Sequence, residues 1–384
     1  MDLDKSRWEQ VSLDDVVINK KITVDARNSG LDKYIAGDHM ATEDIHLRNF
    51  GIIGDDYLGP AFHRKFEKGD ILYGSRRTYL KKVAIASFNG ITSNTTFVLQ
   101  EKGDRIIPGL IPFLMLSDRF TNHSVKHSKG SVNPYINYKD IGQYEFLLPP
   151  IDQQAKLAEL LWAADEVVER LYCIKSKTII VKERLRKTEF SGSNGAFVKA
   201  KDILKLTTGG TPSTTIAKYW KNGKIKWMSS GDVHRKIIYD VDGRITDDGL
   251  KNSSTKLIPV NSVVIALAGQ GKTKGTVAIT KVELCTNQSV AAFLPNEKII
   301  LPEFLYHFLD SKYSDFREMT GDTNSRTGLN LGILKELLIP NIGIQTQQRI
   351  VNKFNLLDRN YFNLNSQITS IKSIQKQLIN QIFS

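Results

Sequence analysis

The 384-residue chain is two copies of one pattern, laid end to end at an offset of roughly 187–194 residues. Asp15-Val16 answers to Asp202-Ile203, Gly69-Asp70-Ile71-Leu72 to Asn261-Ser262-Val263-Val264, and Val83-Ala84-Ile85 to Val277-Ala278-Ile279. Thr92-Ser93-Asn94 answers to Thr286-Asn287-Gln288, and the apolar stretch from Pro108 to Leu116 to that from Leu301 to Leu309. Leu148-Pro149-Pro150-Ile151 matches Ile339-Pro340-Asn341-Ile342, and a Gln-rich helix start follows each, at Gln153-Gln154 and Gln347-Gln348. The period is far longer than a solenoid unit, so each copy is a whole domain followed by a helix.

Within each copy, short β-like runs broken by Gly, Asn and Pro come first. Examples are Ile71-Leu72-Tyr73, Thr96-Phe97-Val98-Leu99 and Val263-Val264-Ile265-Ala266. A long helix then follows. The first runs from about Gln153 to Thr188, with Leu157, Ala164, Leu171, Thr178 and Leu185 at heptad position a. Leu160, Val167, Ile174 and Val181 fall at position d, which predicts an a/d seam. The second, about Gln347 to Phe383, carries Ile350, Leu357, Leu364, Ile371 and Leu378 at seven-residue spacing, with Phe354, Tyr361 and Ile368 alongside. A helix of about 35 residues is about 50 Å long and cannot bury such a stripe alone. The expected fold is therefore α+β: two similar mixed α/β domains separated by two long helices forming an antiparallel coiled coil, with pseudo-twofold symmetry. The boundaries are 1–150 and 191–343 for the domains, and 151–190 and 344–384 for the helices.

Charge points to a partner. The chain carries 53 Lys+Arg against 41 Asp+Glu, net +12, and residues 191–384 hold most of the excess, with 25 basic and 15 acidic side chains. A polyanion fits this balance, either nucleic acid or an anionic surface. A pseudo-twofold object suits the local twofold symmetry of DNA. No apolar run reaches the roughly 18–20 residues of a membrane-spanning helix. The opening MDLDKSRWEQ has no secretory h-region. Two cysteines, Cys173 and Cys285, exclude a disulfide scaffold and fit a reducing cytoplasm.

Catalytic motifs are missing. Ala266-Leu267-Ala268-Gly269-Gln270-Gly271-Lys272-Thr273 resembles a relaxed phosphate loop, but Val277-Ala278-Ile279-Thr280 behind it reads as a strand where a helix is required. The aligned stretch Gly74 to Lys82 lacks the motif and keeps the basic charge, so the shared property is a basic loop between two strands. The seven histidines, among them His39, His46 and the pair His123 and His127, show no metal-ligand spacing and read as polar surface or loop residues. There is no G-x-S-x-G elbow and no G-x-G-x-x-G opening a helix after a strand.

Taken together, the residues resemble the specificity subunits of Type I restriction–modification systems, over essentially the whole chain. The resemblance rests on Thr208-Gly209-Gly210-Thr211-Pro212-Ser213, on Tyr219-Trp220 and Ile225-Lys226-Trp227, on the Pro149–Gln154 helix start with its weaker counterpart at Pro340–Gln348, and on the two-copy layout. The first copy departs from it, offering Tyr34 to Met40 in place of the Gly-Thr-Pro-Ser run. The resemblance implies that each copy is a target recognition domain reading half of a split double-stranded DNA sequence. It implies that the helix pair sets the gap between halves and docks two methyltransferase subunits, and that restriction/translocase subunits join the complex. It also implies that this chain binds no cofactor of its own. S-adenosylmethionine, ATP and magnesium would be used in the partner subunits, where adenine methylation and cleavage take place.

Base and phosphate contacts need exposed Arg, Lys, Asn, Gln, Ser or Thr. The expected DNA-binding residues of the first copy are Arg76, Arg77, Thr78, Lys81 and Lys82, with Lys126, Lys129, Asn133 and Tyr135. Those of the second are Ser229, Ser230, His234, Arg235 and Lys236, then Lys272 and Lys274, and Asn324, Ser325 and Arg326. Trp8, Trp220 and Trp227 read as core rather than stacking platforms, and Asp165 and Asp358 as polar-face or docking residues. Two other readings remain open here: a recognition module fused to its own catalytic domain, and a non-specific DNA-binding coiled-coil scaffold. Methyl-transfer and cleavage assays test the first, and competition with random DNA the second.

Overall fold

The structure, a computed structural model, describes residues 3–55, 57–191, 197–319 and 328–384. The chain divides into two compact units. Unit 1 comprises Met1–Cys173 and Asn365–Ser384, and unit 2 comprises Ile174–Leu364. Among the described residues, no helix is long and apolar enough to cross a membrane.

Unit 1 contains two four-stranded sheets and a closing pair of strands. Val17–Lys20, Thr96–Glu101, Ile71–Gly74 and Val83–Ile85 lie side by side, each pair antiparallel. Gly51–Ile52, Lys33–Ile35, Gly90–Ser93 and Phe62–Phe66 form the second sheet, in which Lys33–Ile35 and Gly90–Ser93 run parallel. Glu9–Ser12 pairs with Glu145–Leu148 just before the first long helix. Ile71-Leu72-Tyr73 is apolar at every position because both faces of its strand are covered. Ile71 and Tyr73 join the core built on Trp8, Phe113 and Phe120, while Leu72 packs with Ile35 and Phe66 on the other face.

Unit 2 repeats this arrangement. Lys205–Thr208, Val290–Leu294, Val263–Ala266 and Val277–Thr280 form the first sheet in the same order, extended by a fifth, parallel strand, Ile237–Ile238. Arg244–Ile245, Ile225–Met228, Leu284–Thr286 and Leu257–Ile258 form the second. Phe197–Lys199 pairs with Leu338–Pro340. The strand registers also correspond. Ile71 faces Leu99 where Val263 faces Phe293, and Tyr34 faces Ile91 where Trp227 faces Cys285. The sequence repeat is thus a repeat of topology, register and two-sided burial.

The long helices are Ile151–Ser191 and Ile344–Ile382. In unit 1 the start of the first and the end of the second share one core, with Leu157, Ala158 and Leu161 beside Ile379, Ile382 and Phe383. In unit 2 the end of the first meets the start of the second: Phe190 stacks on Phe354 at 5.5 Å, Lys353 bonds Glu189 at 2.6 Å, and Lys182 pairs with Asp358. Both sets of contacts require antiparallel chain directions. The expected stripe of the second helix is buried or half-buried at Ile350, Phe354, Leu357, Leu364, Ile368, Ile371 and Leu378, whereas Tyr361, expected alongside, is exposed.

The first helix needs a correction. Its expected d row lies outward: Leu160, Val167, Ile174 and Val181 are 41%, 44%, 49% and 49% exposed. Ala164, Leu171, Thr178 and Leu185 are half-buried. The face turned inward carries Gln154, Leu157, Ala158, Leu161, Asp165 and Val168. Two polar residues belong to it because each finds partners inside. Gln154 accepts from the Ile107 N–H and donates to the Arg105 and Pro149 carbonyls, at 2.9, 3.1 and 2.8 Å. Asp165 lies 2.8 Å from His46 Nε2 and so is an internal partner rather than a polar-face residue. Hydrophobicity alone would not assign either to a buried face.

Candidate nucleic-acid interface

In both copies the connection between the third and fourth strands of the first sheet forms an exposed basic loop. In unit 1 this is the stretch 75–82, between Ile71–Gly74 and Val83–Ile85. The backbone brings a second segment beside it. Arg76 and Lys129 both bridge to Tyr135, the Arg77 N–H donates to the Pro134 carbonyl at 2.7 Å, and the Ile136 N–H donates to the Ser75 carbonyl at 2.9 Å. Arg76, Arg77, Lys129, Asn133 and Tyr135 are therefore brought together, and all are exposed or half-buried at the surface. Lys126, also exposed, ends the helix Asp118–Lys126 that leads into this segment. Tyr79, which no sequence motif marks, stands at the loop tip, 55% exposed.

Three residues expected to contact DNA face inward or are held. Thr78 is buried, with its hydroxyl 3.3 Å from that of Ser128. Lys81 is 7% exposed; its Nζ donates to the Leu116 carbonyl at 3.0 Å and pairs with Asp118. That pairing, the main cause, holds the Asp118 carboxyl below the usual carboxylate range. The half-buried Lys82 donates to the Gly37 carbonyl. Burial, then the like charge of Arg77, holds its pKa below that of a free lysine. Of the two lysines, Lys81 has its charge balanced by a carboxylate, which leaves it less able to release counterions from DNA.

In unit 2 the loop spans 267–276, between Val263–Ala266 and Val277–Thr280. It is fastened through its carbonyls: Thr276 Oγ1 and the Tyr313 hydroxyl donate to the Lys272 carbonyl at 2.6 and 3.1 Å, and Arg317 donates to that of Gly271 at 2.7 Å. Its side chains are left outward, with Lys272 and Gln270 exposed and Lys274 half-buried. His234 Nε2 lies 3.0 Å from Thr273 Oγ1, which joins the 3-10 turn Ser230–Arg235 to this loop. Ser230, half-buried, begins that turn.

Other candidates of unit 2 are committed internally. Ser229 caps the turn, its N–H and hydroxyl both donating to Asp232 at 2.9 and 2.8 Å. Arg235 pairs with Asp242 at 2.9 Å. Lys236 pairs with Asp310 at 2.9 Å, and Arg186 pairs with the same carboxylate. Burial alone would push Asp310 up, but the two cations overcome it and hold its carboxyl below the usual range. Asn324, Ser325 and Arg326 lie outside the described residues.

The Thr208–Ser213 motif is structural. A Cβ on Gly209 would stand 1.8 Å from the Thr286 carbonyl oxygen, so only glycine lets the motif cross that strand. Trp227 Nε1 donates to the Gly210 carbonyl and Trp220 Nε1 to that of Ser213, both at 3.0 Å, and the two rings meet edge to face at 5.1 Å. Trp8 is buried and donates to Gln153 at 2.7 Å. Three of the histidines differ from the surface reading, while His127 and His234 are exposed as expected. His307 is 2% exposed and stacks on Phe354 at 4.7 Å, His46 is held by Asp165, and His123 Nε2 lies 2.7 Å from the Asp140 carbonyl oxygen. Among the described residues, no group of three or more His, Cys, Asp or Glu could hold a metal ion.

A family model described as the Type I restriction modification DNA specificity domain matches the chain twice, over residues 5–171 and 193–373. The Type I restriction enzyme EcoR124I/EcoR124II specificity subunit of Escherichia coli is 34% identical over 159 residues, covering 41% of this chain and 39% of that one. The match therefore spans about two-fifths of the relative's length. Among solved structures, a chain from a study of complex assembly and conformational transition in the type I R-M system aligns with a TM-score of 0.64 at 17% identity, over 97% of each chain. The S subunit of the M. genitalium Type-I restriction-modification system aligns at 0.60 and 15% identity, over 100% of this chain and 98% of that one. At these identities the likeness is one of fold. Since the family model covers both copies, the chain belongs to the Type I restriction–modification specificity-subunit family.

Proposed function

We propose that this chain is the non-catalytic recognition subunit of a Type I restriction–modification complex and binds a bipartite double-stranded DNA target. Each copy, over 1–150 and 191–343, reads one half-site. The helices, 151–190 and 344–384, set the gap between halves and dock two methyltransferase subunits, and restriction/translocase subunits join that assembly. S-adenosylmethionine, ATP and magnesium act in those partners. The observation that carries the reading is the pair of exposed basic loops at equivalent places in the two copies, between Ile71–Gly74 and Val83–Ile85 and between Val263–Ala266 and Val277–Thr280. Arg76 and Arg77 in the first loop and Lys272 in the second offer the cations that phosphate and guanine contacts use. The row Leu160, Val167, Ile174 and Val181 supports docking, since an exposed apolar stripe along a helix marks an interaction surface.

Selection from random duplex DNA tests the reading, using the chain with a co-expressed methyltransferase subunit at one fixed salt concentration. The expected result is a two-part sequence with a constant gap. Retention of DNA without any enriched sequence would overturn it in favour of a non-specific scaffold.

A further inference from the structure

We propose that Tyr79 determines specificity in the half-site bound by the first copy, its ring packing against a base edge. The inference rests on the DNA-reading role above and assigns one residue within it. Tyr79 occupies the middle of a single 3-10 turn, Thr78–Leu80, at the tip of the basic loop. The residues on both sides of that turn, Arg77 and Lys81, are non-glycine residues in the left-handed region, at φ 48° and 46°. Side chains rarely adopt that conformation, and where they do the surroundings must impose it.

Here the surroundings do. The Leu80 N–H donates to the Arg77 carbonyl at 2.9 Å and the Lys81 N–H to that of Thr78 at 3.0 Å. The Arg77 N–H is held by the Pro134 carbonyl at 2.7 Å, and Lys81 Nζ is anchored on the Leu116 carbonyl and Asp118. The turn is thus pinned from beneath, and Tyr79 projects from a rigid base. A ring held at 55% exposure keeps apolar surface in water that a phosphate contact cannot cover, whereas a base edge or a thymine methyl can. A tyrosine also makes such contact at low entropic cost. Arg76 and Arg77 on the same loop suit a polyanionic partner around that ring.

The second copy lacks this device. Its loop carries left-handed glycines at Gly269, Gly271 and Gly275, and no aromatic residue between Leu267 and Thr276. Tyr79→Ala therefore affects one half-site only, and the other serves as an internal control for folding and assembly.

The test is selection from random duplex DNA by the full chain with its methyltransferase subunit, comparing wild type, Tyr79→Ala and Tyr79→Phe at one salt concentration. The expected outcome is that Tyr79→Ala loses about tenfold discrimination at one or two adjacent positions of one half-site. The gap and the other half-site stay unchanged, and Tyr79→Phe, which keeps the ring, keeps the wild-type preference. Unchanged preference in Tyr79→Ala, or a Tyr79→Phe variant as impaired as Tyr79→Ala, would overturn the ring contact while leaving the recognition role standing. A wild-type chain that selects no two-part sequence would overturn the recognition role, and this inference with it.

Discussion

Gln154 and Gln347 make the same three hydrogen bonds at equivalent places in the two copies. Gln154 accepts from the Ile107 N–H and donates to the carbonyls of Arg105 and Pro149. Gln347 accepts from the Leu301 N–H and donates to those of Ile299 and Ile342, at 2.8, 3.0 and 2.8 Å. Each is 1% exposed. Each ties the first turn of a long helix to the segment leading into the domain's apolar helices. Gln154→Leu and Gln347→Leu would each leave a backbone N–H and two carbonyls short of partners in the interior. The expected cost is about 1–3 kcal/mol of stability for each, read as a lower midpoint in calorimetry.

The loop cations separate into two classes with different signatures. Arg76→Ala and Arg77→Ala remove surface charges and should leave thermal stability unchanged. DNA affinity should weaken, and the slope of log K against log salt should flatten by about 1 for each phosphate that is no longer neutralised. Lys81→Met should do the reverse. It strips Asp118 of its buried partner and should cost about 1–3 kcal/mol of stability, a figure lowered because Asp118 is itself 49% exposed. A Lys81→Met variant with unchanged melting and a flattened salt slope would show that its charge reaches DNA after all.

Stability should depend on pH on both sides of the ordinary histidine range. The hydrogen bond to Asp165 raises the pKa of His46. The protonated pair therefore contributes fully below pH about 6.5, and its contribution is lost as pH rises through the raised value. His307 behaves oppositely. Burial pushes its pKa down to about 4, so the folded state holds it neutral while the unfolded chain protonates. Stability is then lost as pH falls from about 6.5 towards 4. Chemical denaturation across a range from about pH 4 to about pH 9 should show both limbs. His46→Gln should flatten only the alkaline one, and His307→Gln only the acid one.

The outward row of the first long helix yields a fourth prediction. Val167→Glu and Ile174→Glu place charges on side chains already 44% and 49% exposed, so each should shift stability by no more than about 0.5 kcal/mol. Co-purification with a methyltransferase subunit should fall sharply. Retained co-purification in both would move the docking surface elsewhere on the chain.

The two basic loops were legible in the sequence as basic stretches between matched strands, because strand positions follow from apolar runs and turn residues, which are local. Tyr79 was not, since an aromatic residue in a short loop reads equally well as core. Its exposure depends on the 3-10 turn that carries it and on the left-handed residues at either side. The partners of Lys236 were hidden for a different reason: Asp310 is 74 residues away, and no local pattern pairs them.

The amino-acid sequence by itself determined the duplication, the strands and their order of appearance, the two long helices, and the buried stripe of the second. These follow from periodicity, which the pleat and the helical turn impose over a few residues. Tertiary structure alone decided which face of the first helix turns inward. His46, 119 residues before Asp165, lets that carboxylate occupy a core position, and Leu160, Val167, Ile174 and Val181 are left outside. It also decided which loop cations remain free, since Lys81 and Lys236, both at positive φ, swing onto carboxylates brought near only by the fold. A charge is placed by its partner, and partners distant in sequence meet only when the chain has folded.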